Sequence, residues 1–215
     1  MHTTQASLLE TPLSASSPFP PQTITTTTRL LIRLMHPADA PAMYKHASPP
    51  IIGKHMSLAF PSPYTLQSAE TWISQNLTPP FNHFAVCLIS SPSALIGGIG
   101  IKPGSDVHTH TAEIGYWLGQ EYWGKGIVAE ALQALTDWVF EVRGYQYRRL
   151  QACVYDQNTA SIRCLEKCGY QFEGRLRGHV EKDGQVMDLM IYGMTKGDWE
   201  DLRREKENKA GGGRE

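Results

Sequence analysis

The chain has 215 residues, 20 Lys and Arg against 21 Asp and Glu, a net charge of -1 and 41% apolar side chains. That length and balance suit one globular domain with tails and exclude the basic excess of a dedicated nucleic-acid binder. No apolar run approaches the ~18 residues of a membrane span, and four cysteines without a CxxC pair point to a reducing compartment, which we read as the cytoplasm.

Residues 1–27 are rich in Ser, Thr and Pro and read as a disordered tail. A transit peptide would be Arg-rich, and here no Arg precedes Arg29. Arg29 to Leu34 reads as a strand, and Asp39 is placed to cap a helix carrying Met43 and Tyr44. The Pro-rich stretch from Ser48 to Pro63 reads as loop with room for a short helical turn, and Ser68 opens a second helix. Phe84 to Ile89, Ala94 to Ile101 and Ala112 to Leu118 read as three successive strands. A long helix follows, with Ile127, Val128, Ala131, Leu132, Leu135, Trp138 and Val139 on one face and Glu130, Gln133, Asp137 and Glu141 on the other. Gly144 ends it. Arg149 to Tyr155 is another strand, and Asn158 caps a shorter helix that ends at Gly169. Phe172 to Arg177 and Gln185 to Met194 form a hairpin turned at Asp183-Gly184. Residues 200–215 are a charged C-terminal tail, part of it a solvated helix. The alternation predicts one mixed α/β domain with a central sheet over residues 28–199.

The informative segment is Gly119 to Ala129, between a strand and the long helix. Small residues there let the backbone turn tightly, and a helix N-terminus offers free N–H groups and the positive pole of its dipole, an anion site suited to phosphate. Three templates compete. Gly119 to Lys125 satisfies GxxxxGK, but Gly126 stands where a P-loop needs Ser or Thr for magnesium. Gly124-x-Gly126-x-x-Ala129 satisfies a dinucleotide turn, but its ribose-binding acid would have to be Asp156, which comes late.

The third template is the acyl-CoA turn of the GNAT acetyltransferases, and the chain resembles that family, in its RimJ/RimL-like branch, over about residues 28–199. Four marks carry the resemblance: Thr28 to Arg33 with Asp39-Ala40; Ala112 to Leu118 leading into Tyr122 to Ile127 and Glu130-Ala131; Asn158-x-x-Ser161 with Leu165 to Tyr170; and Glu173 to Arg175 with Asp188 and Tyr192. One departure is that Glu121 stands where the family often has Gln or Arg. The resemblance implies a mostly antiparallel twisted sheet of about seven strands flanked by about four helices, with a splayed strand pair holding acyl-CoA. It also implies that acetyl-CoA is the co-substrate and that no metal takes part.

By resemblance, Tyr116, Trp117 and Leu118 pair with the pantetheine arm. Trp123, Gly124, Lys125, Gly126, Ile127, Val128 and Ala129 hold the pyrophosphate, and Asn158 and Ser161 lie near the sulfur. Taken alone, Asn158 is an N-cap with Ser161 at N3. Lys125 is a candidate to screen phosphates, whereas Lys167 reads as a solvated lysine. The reaction implied is acetyl transfer to a primary amine, which must lose a proton to attack. Glu113 is the first candidate base, with Glu181 and Asp188 as alternatives, and Ser161 is the candidate acid for the leaving thiolate. Many family members use a Tyr for that acid, at the position occupied here by Leu165. Glu113 can equally be a half-exposed strand residue, and a catalytically silent acyl-CoA-binding module is the competing function.

The remaining reactive-looking residues have plainer readings. His108 and His110 sit in a polar loop without a metal-ligand cluster. Cys164 and Cys168 share a helix face, and neither Cys153 nor Cys164 has a neighbouring His to lower its pKa, so direct attack on acetyl-CoA is expected rather than an acetyl-cysteine. Phe60, Tyr64 and Trp72 suit either an acceptor pocket or the core. The expected partners are acetyl-CoA and an amine acceptor, with no nucleic acid or membrane, and the chain is expected to be a monomer or homodimer.

Overall fold

The computed structural model describes residues 10–211. Among these are eight strands: β1 Thr23–Thr26, β2 Leu30–Arg33, β3 His83–Leu88, β4 Ser91–Pro103, β5 Thr111–Leu118, β6 Arg149–Tyr155, β7 Gln171–Lys182 and β8 Gln185–Thr195. Six α-helices accompany them: α1 Ala40–Ala47, α2 Pro50–Gly53, α3 Leu66–Ser74, α4 Ile127–Val142, α5 Thr159–Lys167 and α6 Lys196–Gly211. The strands form one sheet in the order β1-β2-β3-β4-β5-β6-β8-β7. This is the mixed α/β, mostly antiparallel architecture expected, with more elements than the sequence suggests. The chain divides into two compact units, Met1–Ile101 with Gly115–Leu135, and Lys102–Ile114 with Thr136–Glu215.

In the first unit, β1, β2, β3 and β4 pair antiparallel in turn. The strand β1 lies inside the segment whose composition predicts a tail. Only Ile24 of its four residues is buried, so it carries no hydrophobic alternation to read. A cluster of Met35, Met43, Ala47, Tyr64, Ala69, Ile73, Cys87 and Leu95 joins α1 and α3 to the sheet. The helix α3 starts two residues earlier than Ser68, because Thr65 and Ser68 form a reciprocal capping box.

Asp39 occupies the N-cap position of α1, but its side chain makes no cap bond. Its two oxygens instead take Arg33 Nη1 at 2.8 Å and Nη2 at 2.6 Å, and one also accepts the His36 N–H at 2.9 Å. Both side chains are fully buried, and Arg33 further donates to the Pro92 and Leu34 carbonyls. A guanidinium out of water needs a counter-charge and a partner for each donor, and that need outweighs a helix cap.

In the second unit, β5 pairs parallel with β6 from Thr111↔Arg149 to Glu113↔Gln151, β6 pairs antiparallel with β8, and β8 with β7. Leu150, Ala152 and Val154 are buried and alternate with half-exposed neighbours, as a strand with one covered face requires. The helix α5 ends as expected: Gly169 has φ +87°, its N–H bonds to the Glu166 carbonyl, and the Tyr170 N–H bonds to Leu165. The β7–β8 turn is also as expected, with positive φ at both Asp183 and Gly184. The strand β7 runs on to Lys182 rather than stopping at Arg177, its register shifting between Phe172 and Gly174 and between Leu176 and Val180.

The second unit's core includes Tyr170, whose hydroxyl lies 2.8 Å from Thr136 Oγ1, and Trp199, whose indole N–H donates to Asp137. Burial pushes the Tyr170 hydroxyl's pKa well up. Trp199 is buried near the start of α6, which runs from the end of the predicted domain into the predicted tail, where its residues are mostly exposed. No helix of the described residues is long and apolar enough to cross a membrane.

Candidate functional site

The glycine turn belongs to the first unit. The strand β5 ends at Leu118, and Gly119 donates its N–H to the Ile96 carbonyl. A single 3-10 turn, Gln120–Tyr122, then leads to Trp123, whose indole N–H returns to the Leu118 carbonyl at 2.8 Å. Gly124 and Gly126 have φ of +71° and +72°, the left-handed region that side chains resist. The Glu130 N–H bonds to the Gly126 carbonyl, so the α4 ladder begins there and the amides before Glu130 have no acceptor within the helix. A Cβ added at Gly124 would meet nothing within 4 Å, so the space beside this residue is open. Two left-handed glycines beside a helix N-terminus fit a phosphate group.

Beside the turn is a narrow crevice open to solvent. Five of the residues expected to hold the carrier line it: Tyr116, Trp117, Leu118, Ile127 and Val128. Val86, Gly98, Ile99 and Ala131 complete the wall. Gly97 and Gly98 explain how Trp117 comes so close to β4. A Cβ at Gly98 would lie 2.6 Å from Trp117 Nε1, and one at Gly97 would lie 2.5 Å from the Trp117 carbonyl oxygen. The paired glycines within a strand were the available signal for this close approach.

Lys125 is folded back, its ammonium donating to the Glu121 carbonyl at 2.8 Å and lying over the Tyr122 ring. Glu121, the departure from the family pattern, turns toward α1, where its carboxylate lies 3.3 Å from His46 Nδ1 and 3.5 Å from Lys45 Nζ. Burial, and after it the Lys45 charge, lower the His46 pKa, with Glu121 opposing. Sequence reasoning assigned no role to His46, because its partner is 75 positions away. It also left Arg29 and Glu130 as marks without a role. They form an ion pair at 2.6 Å against the turn.

The second unit contains Glu113, Asn158 and Ser161. The Asn158 side-chain oxygen accepts the Ser161 N–H at 3.2 Å, so the capping role holds. Glu113 is half-buried opposite Gln151 on β6. Burial, and after it the Glu113 charge, push the Cys153 thiol up to about 11, with Lys102 opposing. Cys168 is raised by its hydrogen bond with Cys164 and then by burial, and Cys87 is pushed by burial to about 11. None of these three thiols has the depressed pKa of a nucleophile.

Asp188 accepts the Gly178 N–H at 2.7 Å and pairs with Arg175. These partners hold its carboxyl below the usual range, which removes basicity rather than supplying it. Glu181 is exposed on β7, and Lys167 is exposed on α5. The remaining marks are structural: Glu173 pairs with Arg149, and the Tyr192 hydroxyl donates to Glu166 at 3.1 Å. Leu165 is fully buried. Tyr64 packs in the core with Phe60 stacked on it at 4.7 Å, and Trp72 meets His83 edge-on. Among the described residues no cluster of His, Cys, Asp and Glu could hold a metal ion.

Residues 29–171 match the family model described as an acetyltransferase (GNAT) domain. The chain is 31% identical over 175 residues to the uncharacterized N-acetyltransferase p20 of Bacillus licheniformis, covering 79% of this chain and 94% of the relative. A GNAT-family acetyltransferase structure from Bacillus anthracis superposes with a TM-score of 0.70 at 26% identity, over 80% of this chain and 98% of that one. RimL, a ribosomal L7/L12 alpha-N-protein acetyltransferase solved with coenzyme A, shares the fold at a TM-score of 0.69 and 18% identity, over 81% of this chain and 98% of its own.

Proposed function

We propose that this chain, which belongs to the GNAT acetyltransferase family, transfers the acetyl group of acetyl-CoA to a primary amine by direct attack in a ternary complex. The acceptor class is a protein N-terminus or a small-molecule amine, and the enzyme works as a cytoplasmic monomer or homodimer. The observation that carries this is the joining, in one unit, of a two-glycine anion turn and a crevice walled by Tyr116, Trp117, Leu118, Ile127 and Val128. A turn suited to a pyrophosphate beside a narrow crevice along a strand end suits the diphosphate and the thin, amide-bearing arm of an acyl-CoA.

Trp123 to Ala129 bind the pyrophosphate through backbone N–H groups, and the β5 residues Tyr116 to Leu118 accompany the pantetheine. The neutral amine attacks the thioester carbonyl, a C–N bond forms, the C–S bond breaks, and the amine's extra proton must leave. Glu113 takes that proton, directly or through water, and releases it to solvent, while Ser161 gives its hydroxyl proton to the thiolate and regains one from solvent. Asn158 keeps Ser161 in place through the cap bond. Cys153 does not carry the acetyl group, since burial holds its thiol protonated near neutral pH.

Thiol release from acetyl-CoA, measured across a panel of free amines and short N-terminal peptides, tests the proposal. Initial rates at several acetyl-CoA levels should give intersecting lines for the accepted amine. Parallel lines, together with an acetylated enzyme trapped without acceptor, would replace direct attack with a covalent route.

A further inference from the structure

The turn that opens α4 is gripped from outside by a residue nearly a hundred positions away. Arg29 is the last residue of the β1–β2 connection. Its Nη1 donates to the Lys125 carbonyl at 3.0 Å, and its Nε donates to Glu130 Oε2 at 2.7 Å. Glu130 also accepts the Arg29 backbone N–H at 3.1 Å and the Thr27 hydroxyl. Partial burial opposes charge on Glu130, but the Thr27 and Arg29 hydrogen bonds prevail and keep its carboxyl below the usual range. Thr27 is itself tied into the hairpin, accepting the Leu30 N–H at 2.9 Å and donating its own N–H to the Leu30 carbonyl. Arg29 is therefore held at three points: Nη1 on the Lys125 carbonyl, Nε and Nη2 on Glu130 Oε2, and its backbone N–H on Glu130 Oε1.

The consequence lies in the peptide between Lys125 and Gly126. In a trans peptide the carbonyl of one residue and the N–H of the next point in opposite directions. On one side of that peptide is Gly126, left-handed and without a side chain, and the peptide's carbonyl is held from outside by Arg29 Nη1. An outside donor on the Lys125 carbonyl turns the Gly126 N–H to the other side. We propose that Arg29 is a positioning residue for the acyl-CoA diphosphate: by holding the Lys125 carbonyl it aims the Gly126 N–H at the phosphate, and Glu130 keeps the guanidinium in place. The inference rests on acyl-CoA binding at this turn.

The ion pair has a second effect on the same site. Glu130 stands in the first turn of α4, close to where a dianionic diphosphate would bind, and Arg29 balances its charge. Orientation and neutralisation are separable. In Arg29→Gln both are lost, whereas in the double variant Arg29→Gln/Glu130→Gln only the orientation is missing. Arg29→Lys keeps the charge, but a single ammonium cannot span the carboxylate and the Lys125 carbonyl together.

Calorimetric titration with coenzyme A, combined with amide NMR of Gly126, tests this. In the wild type the Gly126 amide proton should move downfield on coenzyme A addition. In Arg29→Gln that movement should disappear, and the Kd should rise about tenfold or more, the loss expected when a charge-assisted bond no longer aims the site. The double variant should stay weak, and Arg29→Lys should lie between the two. Recovery of wild-type affinity in the double variant would overturn the proposal, leaving Arg29 as a counter-charge only. So would an unaltered Gly126 response in folded Arg29→Gln or, should that variant not fold, in Arg29→Lys. A wild type that does not bind coenzyme A would overturn the functional proposal itself, a different result from binding that ignores Arg29.

Discussion

Replacing Gly126 with Asp puts a carboxylate on the turn proposed to hold the phosphate. The only neighbour within 4 Å of an added Cβ is Arg29 Nη2, at 3.7 Å, so the side chain fits without a clash. The cost to the fold is conformational: at φ +72° an L-residue is strained by about 1–2 kcal/mol. For a chain of this size that lowers Tm by about 2–8 °C, so the variant should remain folded at room temperature. The cost to binding is electrostatic. Two unit charges about 5 Å apart at an effective dielectric of about 20 repel by ~3 kcal/mol, which is about a hundredfold in Kd. Pairing of the new carboxylate with Arg29 offsets part of this, so about tenfold is the lower bound. Gly126→Ala carries the same strain without the charge and is the control. Calorimetric titration with acetyl-CoA should find Gly126→Asp at least about tenfold weaker than Gly126→Ala. Equal affinity in the two folded variants would refute the placement of the phosphate.

Glu113→Gln should lower kcat about a hundredfold while acetyl-CoA affinity stays unchanged; activity within a few-fold of wild type would move the base to Glu181 or to solvent. Arg33→Met leaves Asp39 buried without its counter-charge and should cost about 3–5 kcal/mol, seen as a Tm lower by about 10 °C. A drop of less than about 2 °C would show that the buried pair is dispensable. Stability should also fall on acidification in two steps. His46 and His83 have lowered pKa values in the fold, so their contribution is present above the unfolded value of about 6.5 and is lost as pH falls through the folded values. Glu130, Glu173 and Asp198 are lowered too, and their contribution is lost below about pH 4.5. Thermal midpoints that rise as pH falls from about 7 to about 5 would contradict the histidine sign, and midpoints that rise as it falls below about 4.5 the carboxylate sign.

What could be read in the sequence is what depends on near neighbours. The Asp183-Gly184 turn, the Gly169 helix end and the apolar face of α4 each rest on a few adjacent residues with one good backbone solution. The glycine turn before α4 was legible for the same reason, since glycine spacing and a following helix are local facts. The strand β1 was missed because a Thr-rich edge strand with one buried side chain resembles a polar tail. Asp39 was given to a helix cap because the competing claim of a buried Arg33 depends on burial, which spacing does not reveal. The grip of Arg29 on Lys125 and the contact of Glu121 with His46 cross 96 and 75 positions, and no periodicity reports a pair so distant. The residues that support the site are thus the ones a linear reading sees last.

The central claim is that the turn from Trp123 to Ala129 is built for the diphosphate of an acyl-CoA rather than of another nucleotide. Calorimetric titration of the full chain with acetyl-CoA, NAD and ATP in parallel tests it most directly. We predict saturable binding of one acetyl-CoA per chain and no measurable heat of binding for NAD or ATP at the same concentrations. Binding of NAD or ATP with equal or greater affinity, or no binding of acetyl-CoA, would contradict it.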